Sequence, residues 1–301
     1  MDREDLKKMT QEMAKSINWR RPEDRKQMFD IVQDAALELL EVEDFTTDLL
    51  VTKQGDEFNT TIEEHIYLQE DLDSWEPGTA LEASTFGSKS YMFTPGPYRR
   101  VRVRIPKKRL DEGKYTTADI ANAIKDAIIA NKISRMFAAF YAAIPGSQVV
   151  PTGAITVTAL STAIEKIEDF VPGDLVLVAR KSLLRDLYTS VGLDGTSGFS
   201  NETKRELEQY GYIDRMVGAF IKPLSDIIPF GTMSSIIPSE DAYLLPRKDP
   251  HHIYVEYAEP SWEEWYDYET RTWNISVVFN DAIVINSDIY DRIHAVRIHI
   301  T

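Results

Sequence analysis

The chain has 301 residues, a formal net charge of −15 and a hydrophobic fraction of 43%, so it holds enough apolar material for a core and wholesale disorder is excluded. It contains no cysteine, which excludes disulfides, thiolate metal sites and cysteine nucleophiles and fits a reducing cytoplasm. No apolar run approaches the roughly 20 residues that a membrane span requires, and the charged N-terminus lacks a signal-peptide core.

Residues 2–43 are predicted to form two helices separated near residues 18–22. Pro22 suits the first turn of the second helix, and the acidic residues after it suit the positive end of the helix dipole. Apolar residues recur at helical spacing in that helix: Met28, Ile31, Val32, Ala35, Leu39 and Leu40. Two interpretations stay open, an amphipathic helix packed on its own domain and a helical arm laid on a neighbouring molecule.

Residues 46–106 have the character of strands and turns. Residues 58–70 are rich in β-branched and aromatic side chains, and glycine–proline turn signals follow between residues 76 and 98. We expect a long two-stranded excursion with few core-sized side chains, which needs something else to rest on because isolated hairpins are marginally stable.

Residues 98–109, YRRVRVRIPKKR, carry seven basic residues and no acidic one. Without them the chain has 27 Lys and Arg against 49 Asp and Glu, a net charge of −22. Val101, Val103 and Ile105 alternate with arginines, as in a strand with one apolar and one charged face. A basic segment in an acidic protein predicts either a nucleic-acid partner or an acidic second copy of the same chain.

The strongest helix signal runs from a cap at Thr116 or Thr117 to about residue 144. It contains no glycine or proline, and its length of roughly 40 Å makes it a structural axis. Its predicted apolar stripe consists of Ile120, Ile124, Ala127, Ile128, Ile133, Phe137, Phe140, Tyr141 and Ile144.

The rest of the chain is predicted to be mixed α/β and then strand-rich. Helices are expected over residues 158–170, 181–192 and 202–211, with a polar glycine-rich loop over 192–202. Residues 171–180 are expected to form a turn and then a buried strand. Further strands are expected over residues 216–223, 234–238, 241–247, 251–259, 270–280, 281–286 and 293–301.

No catalytic, cofactor-binding or metal-ligating residue is predicted. The GLDGTSG loop lacks the phosphate-loop pattern, and the five histidines show no metal-ligand spacing. Carboxylates in residues 69–76 and 259–269, beside Trp262, Trp265, Tyr266 and Tyr268, leave a carboxylate-based hydrolase as an alternative.

The acidic balance decides how the basic segment is interpreted. A chain of charge −15 binds a polyanion only if its positive face is well segregated, and the segment has a single aromatic residue, Tyr98, for base stacking. We therefore favour contacts between copies through charge complementarity. The candidate interface residues are Arg99, Arg100, Arg102, Arg104, Lys107, Lys108 and Arg109, with Glu70, Asp71, Asp73, Glu263 and Glu264 as acidic counterparts.

The order of elements resembles the major capsid proteins of tailed phages with the Hong Kong 97-type fold, and more distantly the encapsulins. The stretches most similar to that family are residues 171–188, 216–229 and 270–298. The resemblance implies an α+β fold with an N-terminal arm (1–50), an extended β loop (51–109), a peripheral domain with a spine helix (110–150), an axial domain (151–238) and a strand-rich return to the peripheral domain (239–301).

The same resemblance implies the function and the partners. A major capsid protein self-assembles into hexameric and pentameric capsomers and an icosahedral head that encloses viral DNA, and it is not an enzyme. Scaffolding and portal proteins are expected as partners, packaged DNA is contacted only non-specifically, and no membrane or cofactor is involved. The expected location is the virion, after synthesis in the host cytoplasm. An encapsulin-type cargo shell is the nearest alternative.

Overall fold

The computed structural model describes residues 3–43, 46–54, 60–67, 86–93, 98–171, 173–185, 187, 215–224, 235–288 and 291–301. These residues form an α+β structure, as predicted. The helices are α1 (Arg3–Ser16), α2 (Pro22–Glu43), α3 (Thr46–Leu49), α4 (Lys107–Asp111), α5 (Thr117–Ala143) and α6 (Val157–Glu165). The strands are β1 (Leu50–Gln54), β2 (Thr60–Tyr67), β3 (Phe86–Phe93), β4 (Arg99–Pro106), β5 (Val149–Thr152), β6 (Leu175–Arg180), β7 (Arg215–Met216), β8 (Ala219–Leu224), β9 (Asp241–Pro246), β10 (Asp249–Asp267), β11 (Thr272–Ile285) and β12 (Val296–Ile300).

The two N-terminal helices form where the sequence predicts them, and α2 packs on its own chain. It begins at Pro22, which lacks the N–H that a first turn leaves unpaired. Met28, Val32 and Ala36 are completely buried in a hydrophobic cluster that also contains residues of α5 and β11. Of the two open interpretations, packing on the same subunit is therefore the one observed for α2.

The long helix α5 is the axis of the subunit, as predicted. The Thr116 hydroxyl accepts a hydrogen bond from the Asp119 N–H at 3.0 Å, and the Thr116 N–H donates to the Asp119 carboxylate at 2.9 Å. This capping box satisfies two N–H groups at the helix start. Ile124 lies in one hydrophobic cluster and Phe140 in a second, so the helix joins both. Tyr141, predicted on the apolar stripe, is instead 59% exposed.

A four-stranded sheet in the order β1-β10-β11-β4 contains the basic segment. The strand β4 pairs antiparallel with β11 along its full length, from Arg99 opposite Phe279 to Pro106 opposite Thr272. Its burial alternates as predicted, and Val101, Val103 and Ile105 pack into the cluster below. The basic segment is thus an edge strand of the four-stranded sheet and packs on its own chain.

The strand β11 is continuous where the sequence predicts two strands that meet at residues 280 and 281. Asn280 and Asp281 are polar residues typical of a turn, yet both are buried inside the strand. The Asp281 carboxylate forms a two-pronged ion pair with Arg135 of α5, with Nη1 and Oδ1 2.6 Å apart. This contact compensates the buried charge, so the chain remains extended.

The extended excursion is present as a two-stranded ribbon. Strands β2 and β3 pair antiparallel from Thr60 opposite Phe93 to Tyr67 opposite Phe86. In the part of the chain that the structure describes, neither strand pairs with a strand of the two larger sheets. The connection between them, residues 68–85, lies outside the described residues.

A six-stranded sheet has the order β5-β12-β9-β6-β8-β7. The buried strand predicted within residues 171–180 is confirmed as β6, whose first five residues are buried. Strands β7 and β8 form a hairpin whose turn residues Val217 and Gly218 have φ of 52° and 89°, as a two-residue turn requires. The sheet also includes β9 and β12, from the segment that the family resemblance assigns to the peripheral domain.

Some predicted elements differ from those in the structure, and others lie outside the described residues. The strand predicted over 234–238 is wrong for residues 235–238, where the Ser235 hydroxyl accepts from the Ile237 N–H at 3.2 Å and stabilises a turn. The helix predicted over 158–170 is shorter, Val157–Glu165. The helix over 202–211 and the loop over 192–202 lie outside the described residues, as does half of the helix predicted over 181–192.

Candidate subunit-contact surface

One face of the four-stranded sheet carries the predicted arginines, and we name it the arginine face. Two rows of residues cross strands β4, β11 and β10 in the register of the sheet. One row is Arg102, Ser276 and Glu263, and the next is Arg104, Asn274 and Trp265. Since side chains alternate along a strand, these residues share the face opposite the core. The arginine face consists of Arg100, Arg102, Arg104, Glu263, Trp265, Asn274 and Ser276.

The arginines of this face are held in place by their own subunit. Arg100 Nε donates to the Ser276 hydroxyl at 2.6 Å, and its guanidinium forms an ion pair with Glu263. Arg102 Nη2 donates to Asn274 Oδ1 at 2.9 Å. Both guanidiniums lie over the Trp265 ring, 5.5 and 4.6 Å from its centre. The Arg100 and Glu263 side chains are 52% and 51% exposed, so their ion pair contributes only about 0.2–1 kcal/mol.

The hairpin turn beside this face is ordered by Asp267. Its carboxylate accepts hydrogen bonds from the Thr270 hydroxyl at 2.7 Å and from the Thr270 N–H at 3.3 Å. These bonds, with a smaller contribution from the positive charge of Arg104, lower the pKa of the Asp267 carboxyl. Arg104 is exposed and adds positive charge at the edge of the sheet.

The basic segment continues into the short helix α4. Lys107 pairs with Asp111 one turn later, and Lys108 lies 3.8 Å from Glu112 with 86% of its side chain exposed. Arg109 is exposed as well. Positive charge is therefore accessible along the outside of β4 and α4.

Arg99 differs from the other arginines because it lies on the core-facing side of β4. It is half-buried, and its Nε is buried without a hydrogen-bond partner in the described parts of the chain.

Glu264, predicted as an acidic interface residue, has an internal role instead. It lies on the core-facing side of β10, where it accepts from Arg25 Nε at 2.9 Å and from Trp273 Nε1 at 2.9 Å. The Arg25 and Glu264 side chains are only 7% and 12% exposed. This ion pair attaches α2 to the sheet. Glu70, Asp71 and Asp73 lie outside the described residues.

The arrangement does not assemble the hydrolase site that the sequence left open around residues 259–269. Glu263 and Glu264 point to opposite faces of β10, and each is bound by an arginine. The aromatic cluster is divided in the same way, since Trp262 and Tyr266 pack on the core while Trp265 lies under the arginines. Glu263 and Glu264 therefore do not form a carboxylate pair suited to acid–base catalysis.

A second polar cluster was missed by the sequence analysis. Asp249, His251 and His294 are buried together, with one potential ligand atom of each residue within 4.8 Å of the others. Asp249 and His251 are two apart on one strand and share a face. The Asp-x-His pattern of residues 249–251 is the only part of this cluster that is local in the sequence. The third residue, His294, is 43 positions after His251.

Comparison with known proteins finds no matching family model and no matching curated protein. No described helix is long and apolar enough to cross a membrane. Solved structures do match. The capsid of Ralstonia phage GP4 is 10% identical, with 83% of this chain and 87% of that chain covered and a TM-score of 0.55.

Two further solved structures extend the likeness beyond phages. The virus-like particle from Pyrococcus furiosus is 10% identical, with 90% of this chain and 99% of that chain covered and a TM-score of 0.52. An encapsulin complex from Synechococcus elongatus is 10% identical, with coverage of 86% and 88% and a TM-score of 0.50. At such identities the likeness shows the fold. The chain has the capsid-type fold that the order of its elements predicts.

Proposed function

We propose that this chain is the major capsid protein of a tailed phage, a shell protein that self-assembles around viral DNA. The observation that carries the proposal is the extent of the likeness: the capsid-type fold spans 83–90% of this chain and 87–99% of the three shell structures described above. The match therefore covers the fold as a whole and is not confined to one common motif.

The shape of the subunit supports assembly. The β2–β3 ribbon forms a sheet of its own, and a two-stranded ribbon is marginally stable in isolation. We infer that it rests on a neighbouring subunit in the shell. Weak contacts of this kind, repeated over many copies in closed symmetry, give a stable particle through avidity.

We further propose that the basic segment contacts acidic residues of a neighbouring subunit. Arg104, Lys108 and Arg109 are exposed, and the chain outside residues 98–109 has a net charge of −22. Glu70, Asp71 and Asp73 are acidic partners on the excursion. Arg100 and Glu263 already form an ion pair within the chain, so a neighbouring subunit would meet this pair as a polar surface whose charges balance.

The proposal includes the partners and the location. Hexameric and pentameric capsomers form first, with scaffolding and portal proteins as separate chains, and the product is the capsid of the virion, made in the host cytoplasm. An acidic shell wall repels packaged DNA mildly, which keeps its contacts non-specific. The domain boundaries at residues 50, 109, 150 and 238 belong to the same proposal.

The test is negative-stain microscopy and native mass spectrometry of the purified full-length chain. Closed particles, or rings of five and six subunits, are the expected result. Because the scaffold is proposed to be a separate chain that the purified sample lacks, rings of five or six subunits are the smallest assembly that supports the proposal. A chain that stays monomeric at every concentration and salt level would contradict the proposal.

An encapsulin-type shell is the second candidate, favoured by the likeness to the encapsulin complex. Particles isolated from the native source separate the two functions. Nuclease-protected DNA inside the particles supports a viral capsid, whereas a co-purifying enclosed protein supports a cargo shell.

A further inference from the structure

The Asp249–His251–His294 cluster lies where the two large sheets meet. Asp249 and His251 stand at the start of β10, in the four-stranded sheet, and His294 lies two residues before β12, in the six-stranded sheet. All three residues are buried. The rings of His251 and His294 are perpendicular, with their centres 4.5 Å apart.

The donor atoms of the cluster are brought close together by the fold. Asp249 Oδ2 and His294 Nδ1 are 2.7 Å apart, and a nitrogen of His251 completes a group that spans at most 4.8 Å. A tetrahedral zinc ion with bonds of about 2.0–2.2 Å holds its ligand atoms roughly 3.3–3.5 Å apart. A shift of about one ångström in side-chain position therefore brings the three atoms onto one ion.

A second layer of contacts orients these groups. The other ring nitrogen of His294, Nε2, faces the Asp288 carboxylate at 3.5 Å, and Asp288 is itself bound by Arg292 at 2.8 Å. The other oxygen of Asp249 accepts from the His251 N–H at 2.8 Å. Metal-binding histidines commonly direct their second nitrogen to a carboxylate, which fixes the ring and the tautomer.

The neighbouring His252 is not part of this group. It points to the other side of β10, where its ring meets Phe140 edge-on at 5.0 Å. Burial lowers the pKa of His252 to about 4, so this ring is neutral at physiological pH.

The charges of the cluster are set by competition between burial and pairing. Burial opposes the charged form of His294, but its hydrogen bond to Asp249 and the charge of Asp249, with Asp288 contributing, raise the pKa of His294. Burial also opposes the charge of Asp249, and the His294 hydrogen bond and nearby histidines nevertheless lower its pKa.

We propose that Asp249, His251 and His294 form a binding site for a divalent transition-metal ion of the zinc type, with water in the fourth position. Two imidazoles and one carboxylate suit zinc, nickel or cobalt better than calcium or magnesium, which prefer oxygen ligands. The ion displaces the proton that His294 Nδ1 shares with Asp249, and this proton goes to solvent. By binding residues of both sheets, the ion braces the junction between them.

A hydrogen-bonded chain of Asp249, His294 and Asp288 without any metal is the alternative role. His251 distinguishes the two roles, because the proposed metal site needs a nitrogen of its ring as a ligand, whereas the Asp249–His294 and His294–Asp288 contacts join other side chains. His251→Gln is therefore the informative variant. His299→Gln is the matched control, since His299 pairs with Asp241 at 2.8 Å, away from the cluster.

The experiment uses the full-length chain, stripped with EDTA, dialysed and free of any affinity tag. Zinc chloride is titrated by calorimetry and its effect on Tm is measured, with cobalt chloride as a visible-absorption probe of tetrahedral coordination. We expect one equivalent of zinc per chain, a rise in Tm of several degrees and unchanged binding in His299→Gln. In His251→Gln we expect the zinc affinity to fall by at least the roughly 10- to 100-fold that loss of an outer-shell partner causes.

Two results would overturn the proposal. One is the absence of saturable binding near one equivalent in the unmodified chain, a measurement that does not depend on any variant folding. The other is equal zinc affinity in His251→Gln and in the unmodified chain. Neither result bears on shell assembly, so the metal site and the proposed function fail independently.

Discussion

Glu263 and Glu264 are adjacent in the sequence but differ completely in their surroundings, because β10 directs them to opposite faces. Glu263 is exposed and pairs with Arg100 at the surface, whereas the Glu264 side chain is only 12% exposed and contacts Arg25 and Trp273. An exposed ion pair is worth little, while loss of one partner of a buried pair leaves an uncompensated charge. The same amino acid thus has a surface role at one position and a structural role at the next.

This difference predicts a contrast between two matched variants. Glu264→Gln removes the charge that balances the buried Arg25 guanidinium, so we expect a loss of about 3 kcal/mol in the free energy of unfolding. Glu263→Gln, the control, costs about 0–1 kcal/mol. Chemical denaturation of the unassembled chain measures both. Equal losses in the two variants would show that Glu264 does not hold α2 on the sheet.

At the scale of elements, the arginine face on β4 and β11 has two roles, one inside the chain and one in the proposed contact with a neighbour. Arg100 stabilises its own subunit through Ser276 and Glu263, and in the proposed function the same strand also contacts a neighbour. A simple charge reversal affects both roles at once. A reciprocal exchange of charges affects only the contact between subunits.

We therefore predict different outcomes for Arg100→Glu alone and for Arg100→Glu combined with Glu263→Arg. The single variant places two carboxylates side by side and lowers Tm slightly, whereas the double variant restores the internal pair and Tm. If a neighbouring subunit contacts the Arg100–Glu263 pair in addition to Arg104, neither variant forms particles in electron micrographs. Particles of normal size from the double variant would show that only the internal pair matters.

The sequence predicted those elements that depend on interactions between residues close together in the chain. The Val–Arg alternation of β4 and the cap at Thr116 could be read from the sequence because neighbouring residues determine them. The continuity of β11 could not, because Asp281 is kept in the strand by Arg135, 146 positions earlier. The Asp249–His294 contact could not be predicted for the same reason, because its two residues are 45 positions apart in the sequence.

At the scale of the whole molecule, the ribbon of β2 and β3 is separate from the sheets that contain the main strands. A chain in which residues 55–97 are replaced by a flexible linker of about twelve Gly and Ser residues keeps those sheets, and such a linker spans up to roughly 40 Å. We expect the Tm of the unassembled chain to change by only a few degrees.

The same deletion is expected to abolish particles, because it removes the element proposed to reach over a neighbour. Size-exclusion chromatography and microscopy of the deleted chain check this outcome. Normal shells from the deleted chain would contradict the assembly role of the ribbon, and a large fall in Tm would show that the ribbon belongs to the subunit core.

The ribbon also has a consequence for the life of the free subunit. Among the described residues, no further strand pairs with either outer edge of this ribbon, and such edges are templates for pairing with any other extended chain. If a neighbouring subunit covers the ribbon, as proposed, newly made chains carry an aggregation hazard until that contact forms. The interval between synthesis and burial of the ribbon is the stage at which a chaperone or a scaffold protein has most to protect.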